Sequence, residues 1–156
     1  MEQKTYALGQ RYIGAGQGEG TIILNEVPGN ALGAYLDGAN IIVNCSAQDA
    51  TGDTMNAGGI IIVLGIGSED RQPVGNFCGT GMHGGRIYLR TAHLPKDLPE
   101  QVVAHKATEE DMQIAAPLIQ NYAKKFGADA ESLLRDEYYV LRPNTQNPYK
   151  QLYVTN

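Results

Sequence analysis

Gly33-Ala-Tyr-Leu-Asp-Gly-Ala-Asn-Ile-Ile-Val43, Gly52-Asp-Thr-Met-Asn-Ala-Gly-Gly-Ile-Ile-Ile62 and Gly79-Thr-Gly-Met-His-Gly-Gly-Arg-Ile-Tyr-Leu89 are three copies of one pattern, and a looser copy begins at Gly14. In all four an aliphatic triplet starts eight residues after the leading glycine: Ile22-Ile23-Leu24, Ile41-Ile42-Val43, Ile60-Ile61-Ile62 and Ile87-Tyr88-Leu89. Leu36, Met55 and Met82 recur three residues after the glycine. The copies step by 19, 19 and 27 residues, the surplus of eight falling in a loop at Ile66 to Pro73.

Internal repetition at such a period is the first sign of stacked architecture. Extended chain advances about 3.3 Å per residue, so one repeat is roughly 60 Å of path, enough to circle a small three-sided coil and return one level higher. Equivalent strands running the same way cannot be joined by two-residue hairpins and must pair in parallel, each coil being its own crossover. The expectation is therefore a mainly-β chain: a single-stranded, right-handed parallel β-helix over residues 1–90, with corners at Gly14, Gly33, Gly52 and Gly79. β-branched side chains suit the stacked ladder, and glycine suits corners needing positive φ or close backbone approach. Leu36, Met55 and Met82 would form a second interior stack. The hexapeptide alternative needs aliphatics every six residues, but six beyond Ile22, Ile41 and Ile60 lie Pro28, Ala47 and Ile66.

Composition changes near Thr91. Eighteen of the 19 glycines lie at or before Gly85, whereas five of the seven prolines follow. Residues 91–156 read as a helical capping appendage with a terminal strand and tail. Thr108 followed by Glu109, Glu110 and Asp111 starts a helix. Ala115, Leu118, Ile119, Tyr122 and Phe126 give it one apolar face, Lys124 and Lys125 lie in its last turn, and Gly127 stops it. Pro117 either kinks this helix or restarts it. A second short helix begins at Asp129 and runs through Leu133 and Leu134, and Tyr138-Tyr139-Val140-Leu141 reads as a strand ended by Arg142-Pro143. Such an appendage would cover the open strand edge at the end of a stack.

Charge and motifs exclude several functions. The formal charge of −5, with no basic block, lacks the footprint of a nucleic-acid or anionic-membrane binder. No apolar run approaches the roughly 18 residues of a membrane span, and Met1-Glu2-Gln3-Lys4 opens into polar sequence, so a cytoplasmic protein is expected. Cys45 and Cys78 sit in no ligand or redox spacing. Gly79-Thr-Gly81-Met-His-Gly84 matches the dinucleotide fingerprint in letters, but it precedes a strand where the fingerprint must open a helix. Gly14-Ala-Gly-Gln-Gly-Glu-Gly20 lacks the Lys-Ser/Thr of a phosphate loop. His83, His93 and His105 are not at metal-face spacing. No catalytic, cofactor-binding or metal-binding residue is assigned. Asp37, Asn40, Asn56 and Arg86 sit at outward positions of the repeats, and Asn40, Asn56 and Arg86 together with His83 are the residues on which an outer ligand groove would depend. The insertion carrying Ser68-Glu-Asp-Arg71 is a potential contact loop.

The tandem Gly-x-x-Met-x-x-Gly-Gly-x-Ile, at Gly52 to Ile60 and with one difference at Gly79 to Ile87, resembles the GXGXG domain that closes the large subunit of glutamate synthase. The ending Tyr139-x-Leu141-x-Pro143 followed by Tyr149-Lys-Gln-Leu152 resembles that domain's end as well. The likeness runs from about Tyr12 to Leu152. It implies a right-handed β-helix with a structural, non-catalytic role in glutamate biosynthesis, positioning a cysteine glutaminase and a barrel carrying FMN and an iron–sulfur cluster. Those cofactors would sit on partner subunits of a split enzyme, and none on this chain; a homo-oligomer is compatible with the same reading. The repeat alone also resembles the C subunit of formylmethanofuran dehydrogenase, which implies the equivalent scaffold in another oxidoreductase. A ligand-binding β-helix acting alone is the remaining alternative.

Overall fold

The computed structural model describes residues 2–5 and 9–144. The strands are β1 (Glu2–Thr5), β2 (Thr21–Leu24), β3 (Asn40–Val43), β4 (Ile60–Val63), β5 (Arg86–Arg90), β6 (Val102–Lys106) and β7 (Tyr138–Pro143). Two helices, α1 (Glu109–Phe126) and α2 (Ala130–Arg135), lie between β6 and β7. All seven strands form one sheet in the order β1-β2-β3-β4-β5-β7-β6. Pairings from β1 to β5 are parallel, and those of β7 with β5 and β6 are antiparallel.

The right-handed parallel β-helix expected from the repeat is therefore corrected. The fold is α/β, with a single mixed, mostly parallel sheet and helices on one face. The physical reason lies in the rest of each repeat. At the leading glycine and at the residues two before and two after it, φ is positive in all four copies: Tyr12, Gly14 and Gly16; Ala31, Gly33 and Tyr35; Ala50, Gly52 and Thr54; Phe77, Gly79 and Gly81. Backbone that enters the left-handed region at every second residue makes turns and cannot make a second parallel sheet. These turns do pair from copy to copy. Ala31 N–H donates to the Asp49 carbonyl (2.9 Å), Gly33 N–H to the Ile13 carbonyl (2.8 Å) and Tyr35 N–H to the Asp53 carbonyl (2.8 Å). The result is a turn layer over one sheet face.

Parallel pairing of the aliphatic segments is found, with one shift of register. Ile22 pairs with Ile41, but Ile41 pairs with Ile61, and Ile61 with Ile87. The third triplet is thus Ile61-Ile62-Val63, one residue later than the glycine spacing implies. The Gly20 and Ala39 carbonyls, six residues after their leading glycines, accept from the next rung at Asn40 and Ile60, whereas in the third copy it is Gly59, seven after Gly52, that accepts from Arg86. One extra residue is accommodated at Ala57-Gly58. Because strand side chains alternate, a slip of one would have exchanged the two faces.

Both faces are buried, which is why the strands read as continuous aliphatic runs and not as alternation. Ile22, Ile41, Ile61 and Ile87, with Leu24, Val43, Val63 and Leu89, point into the turn layer and meet Leu36, Met55, Met82 and Cys78. Ile23, Ile42, Ile62 and Tyr88 face the other way and meet Ala115, Ile119, Tyr122 and Ala123 of α1. α1 starts at Thr108 with a reciprocal cap to Asp111 and ends at Gly127 in the left-handed conformation. Pro117 lies within the continuous helix and neither kinks it into two nor restarts it; Pro117 and Gln113, whose carbonyl loses its donor, are both exposed residues. α2 is capped by Asp129. β7 occupies the edge that β5 would otherwise leave open, so one sheet joins the glycine-rich zone to the charged one. β1 and β6 were not legible as strands. The tail segment from Tyr149 to Leu152 lies outside the described residues. Among the described residues no helix is long and apolar enough to cross a membrane.

Candidate functional site

The outward residues singled out in the sequence occupy two columns. Asp37, Asn56 and His83 share one, each four residues past its leading glycine. Thr21, Asn40, Ile60 and Arg86 share the next, at the head of successive strands. Asn40 donates from its side-chain amide to the Thr21 hydroxyl (3.4 Å), a polar rung along the column. Two strand spacings, about 9.6 Å, separate Asn40 from Arg86. Of the five candidates, the structure brings only His83 and Arg86 to one cavity.

That cavity, of about 500 Å³, is lined by Ala57, Gly58, Gly59, Ile60, His83, Gly84, Gly85, Arg86, Val103, His105, Arg142 and Pro143. It forms there because β6 and β7 stand beside the fourth copy and no other. The extra residue at Ala57-Gly58 supplies one rim, and exposed Arg142, from the end of β7, contributes to the lining. Its glycine floor is closely fitted: a Cβ on Gly84 would lie 2.6 Å from the Ala57 Cα, and one on Gly85 2.6 Å from the Gly59 carbonyl oxygen.

Behind this cavity lies Asp111, a buried carboxylate at the start of α1. Oδ2 accepts from the Thr108 N–H (2.9 Å) and the Thr108 hydroxyl (2.9 Å) and lies 3.0 Å from His105 Nε2. Burial pushes its pKa up, but these contacts outweigh burial and hold the carboxyl below its ordinary value. Tyr88 hydroxyl donates to the Asp111 backbone carbonyl (2.8 Å), tying β5 to α1. Arg86 Nε lies 4.0 Å from Asp111 Oδ1, and this buried nitrogen makes no hydrogen bond.

Cys78 is buried, its thiol pushed up to about 12 by burial alone, and it stays protonated at neutral pH. Cys45 is half-buried and also free. The insertion loop is fastened to the sheet: Glu69 accepts from the Gly67 N–H (3.0 Å) and lies 3.7 Å from Arg90. Arg90 in turn donates to Asp136 (2.7 Å) and to the Leu64 carbonyl (2.9 Å). Gly79-Thr-Gly81-Met-His-Gly84 leads into β5 and has no helix for a pyrophosphate to rest on. Among the described residues no group of three or more His, Cys, Asp or Glu could hold a metal ion. His105 and Arg142 were missed as site residues, because only the antiparallel insertion of β7 brings them beside the fourth copy.

The fold and site define an α/β protein with a repeat-built, mostly parallel sheet and one basic cavity at its end. No known protein family's profile matches the chain. It is similar to the uncharacterized protein MJ1350 of Methanocaldococcus jannaschii, with 35% identity over 128 residues, covering 77% of this chain and 48% of that protein. The chain thus spans about half the length of this relative.

Proposed function

We propose that this chain is a non-catalytic assembly component of a glutamate synthase-type complex, holding a glutaminase and an FMN- and iron–sulfur-bearing synthase component in register. One observation carries the reading: the tandem motif that resembles the GXGXG domain is used for packing in both copies. Gly79 N–H donates to the Thr51 carbonyl (2.8 Å), and His83 N–H donates to the Met55 carbonyl (2.8 Å). Met55 and Met82 are both buried in the same core. Residues committed to stacking serve a rigid platform, and a platform with both sheet faces covered suits presentation of separate partners on its outer surfaces.

Co-expression with candidate glutaminase and FMN-barrel subunits tests this. The expected result is a stable complex on size exclusion, with glutamine-dependent glutamate formation that falls when this chain is left out. A chain that elutes alone with every candidate subunit present, and whose omission changes nothing, would overturn the proposal.

A further inference from the structure

The cavity at the end of the sheet combines features that the assembly role does not use. In a chain of formal charge −5 with only three histidines, two of those histidines and two arginines line one concavity, and no carboxylate is among its lining residues. The nearby carboxylate of Asp111 is already engaged by Thr108 and His105, and it stands 4.0 Å from Arg86 Nε, beyond hydrogen-bonding reach. Arg86 and Arg142 against Asp111 leave one positive charge in excess among these three groups. Arg86 Nε is buried on the side of Asp111, yet the Arg86 side chain keeps 26% of its surface exposed where it lines the cavity, and exposed guanidinium groups there suit an oxyanion.

Shape adds a second constraint. A volume of about 500 Å³ falls within the range of small-molecule sites. Ile60, Val103 and Pro143 offer apolar wall beside the two guanidinium groups. The rim lies where the third copy carries its additional residue, at Ala57-Gly58.

We infer that this cavity binds a small organic anion, with Arg86 and Arg142 receiving a carboxylate or phosphate group and Ile60, Val103 and Pro143 covering a short apolar body. Such planar, fork-shaped donors match the oxygen pairs of both groups. This inference is independent of the assembly role and stands or falls by itself.

Titration calorimetry on the intact chain, with succinate in one arm and inorganic phosphate in the other, separates the two chemistries. Saturable binding of either is expected, and the arm that binds tighter identifies the headgroup. Arg86→Gln and Arg142→Gln should each weaken it by about tenfold or more, while Lys124→Gln, on the exposed side of α1, leaves it unchanged. Arg142 is exposed, so its variant keeps the fold and decides the matter even if Arg86→Gln does not fold. Absence of binding by both probes up to about 10 mM, or binding that Arg142→Gln leaves intact, would overturn the inference.

Discussion

Gly33 lies against Ile61: a Cβ added to the glycine would fall 2.7 Å from the isoleucine Cδ1. The same relation joins Gly14 to Ile41 (2.7 Å) and Gly52 to Ile87 (2.5 Å). Conformation alone does not select glycine here, because Tyr12, Ala31, Tyr35, Ala50, Thr54 and Phe77 take positive φ in the flanking columns. Space selects it, since the central column receives the aliphatic rung of the next copy.

Gly33→Ala should therefore cost about 2–4 kcal/mol, from overpacking together with left-handed strain. Thr54→Gly removes the strain of a β-branched residue at φ 54° without filling any space, and should be neutral or stabilising by up to about 1 kcal/mol. Urea melts of the two variants should move in opposite directions or, at least, differ by more than the left-handed strain alone.

The shifted register makes neighbouring isoleucines unequal. Ile61 is fully buried in the turn-layer core, while Ile60 is only partly covered. Ile61→Ala is expected to cost about 2–5 kcal/mol, and Ile60→Ala less than about 1.5. Equal losses in chemical denaturation would restore the register implied by glycine spacing.

Asp111 should govern the acid limb of stability. Its carboxyl sits below the ordinary value of 3.8 in the folded protein, so the stabilisation is complete above that value and is lost as pH falls through the lower, folded one. Asp111→Asn should lower stability by about 1–2 kcal/mol at neutral pH and flatten the decline below about pH 4. Thermal melts from pH 7 down to acid conditions read both effects.

Arg90 fastens the insertion loop through Glu69 and the second helix through Asp136. Arg90→Met should cost about 1–3 kcal/mol, since the Leu64 carbonyl loses its guanidinium donor as well. It should also speed tryptic cleavage after exposed Arg71. Unchanged cleavage would mean that the loop is held by its own turns, such as Ser68 N–H to the Gly65 carbonyl (2.9 Å).

Much of the architecture was readable because repetition leaves local marks. Thr108 to Asp111, the apolar face through Tyr122, Gly127 and the strand from Tyr138 are all marked by residues a few positions apart. The fold class is not legible because positive φ at Ala31, Tyr35, Ala50 and Thr54 has no signature in those residue types; alanine, tyrosine and threonine give no warning of left-handed backbone. The single extra residue at Ala57-Gly58 was hidden by the run Ile60 to Ile62, in which any of two registers offers an aliphatic triplet.

By itself, the order of residues determined that like segments stack in parallel, that a capped helix follows, and that glycines recur where a rung must pass close by. These depend on spacing and side-chain volume along the chain. Tertiary structure alone decided that the stack is closed by an antiparallel strand from the far end, and that His105 and Arg142 line one cavity with His83 and Arg86. Contacts between segments some 20 to 60 residues apart are set by how faces and edges are covered, and no local pattern encodes that choice.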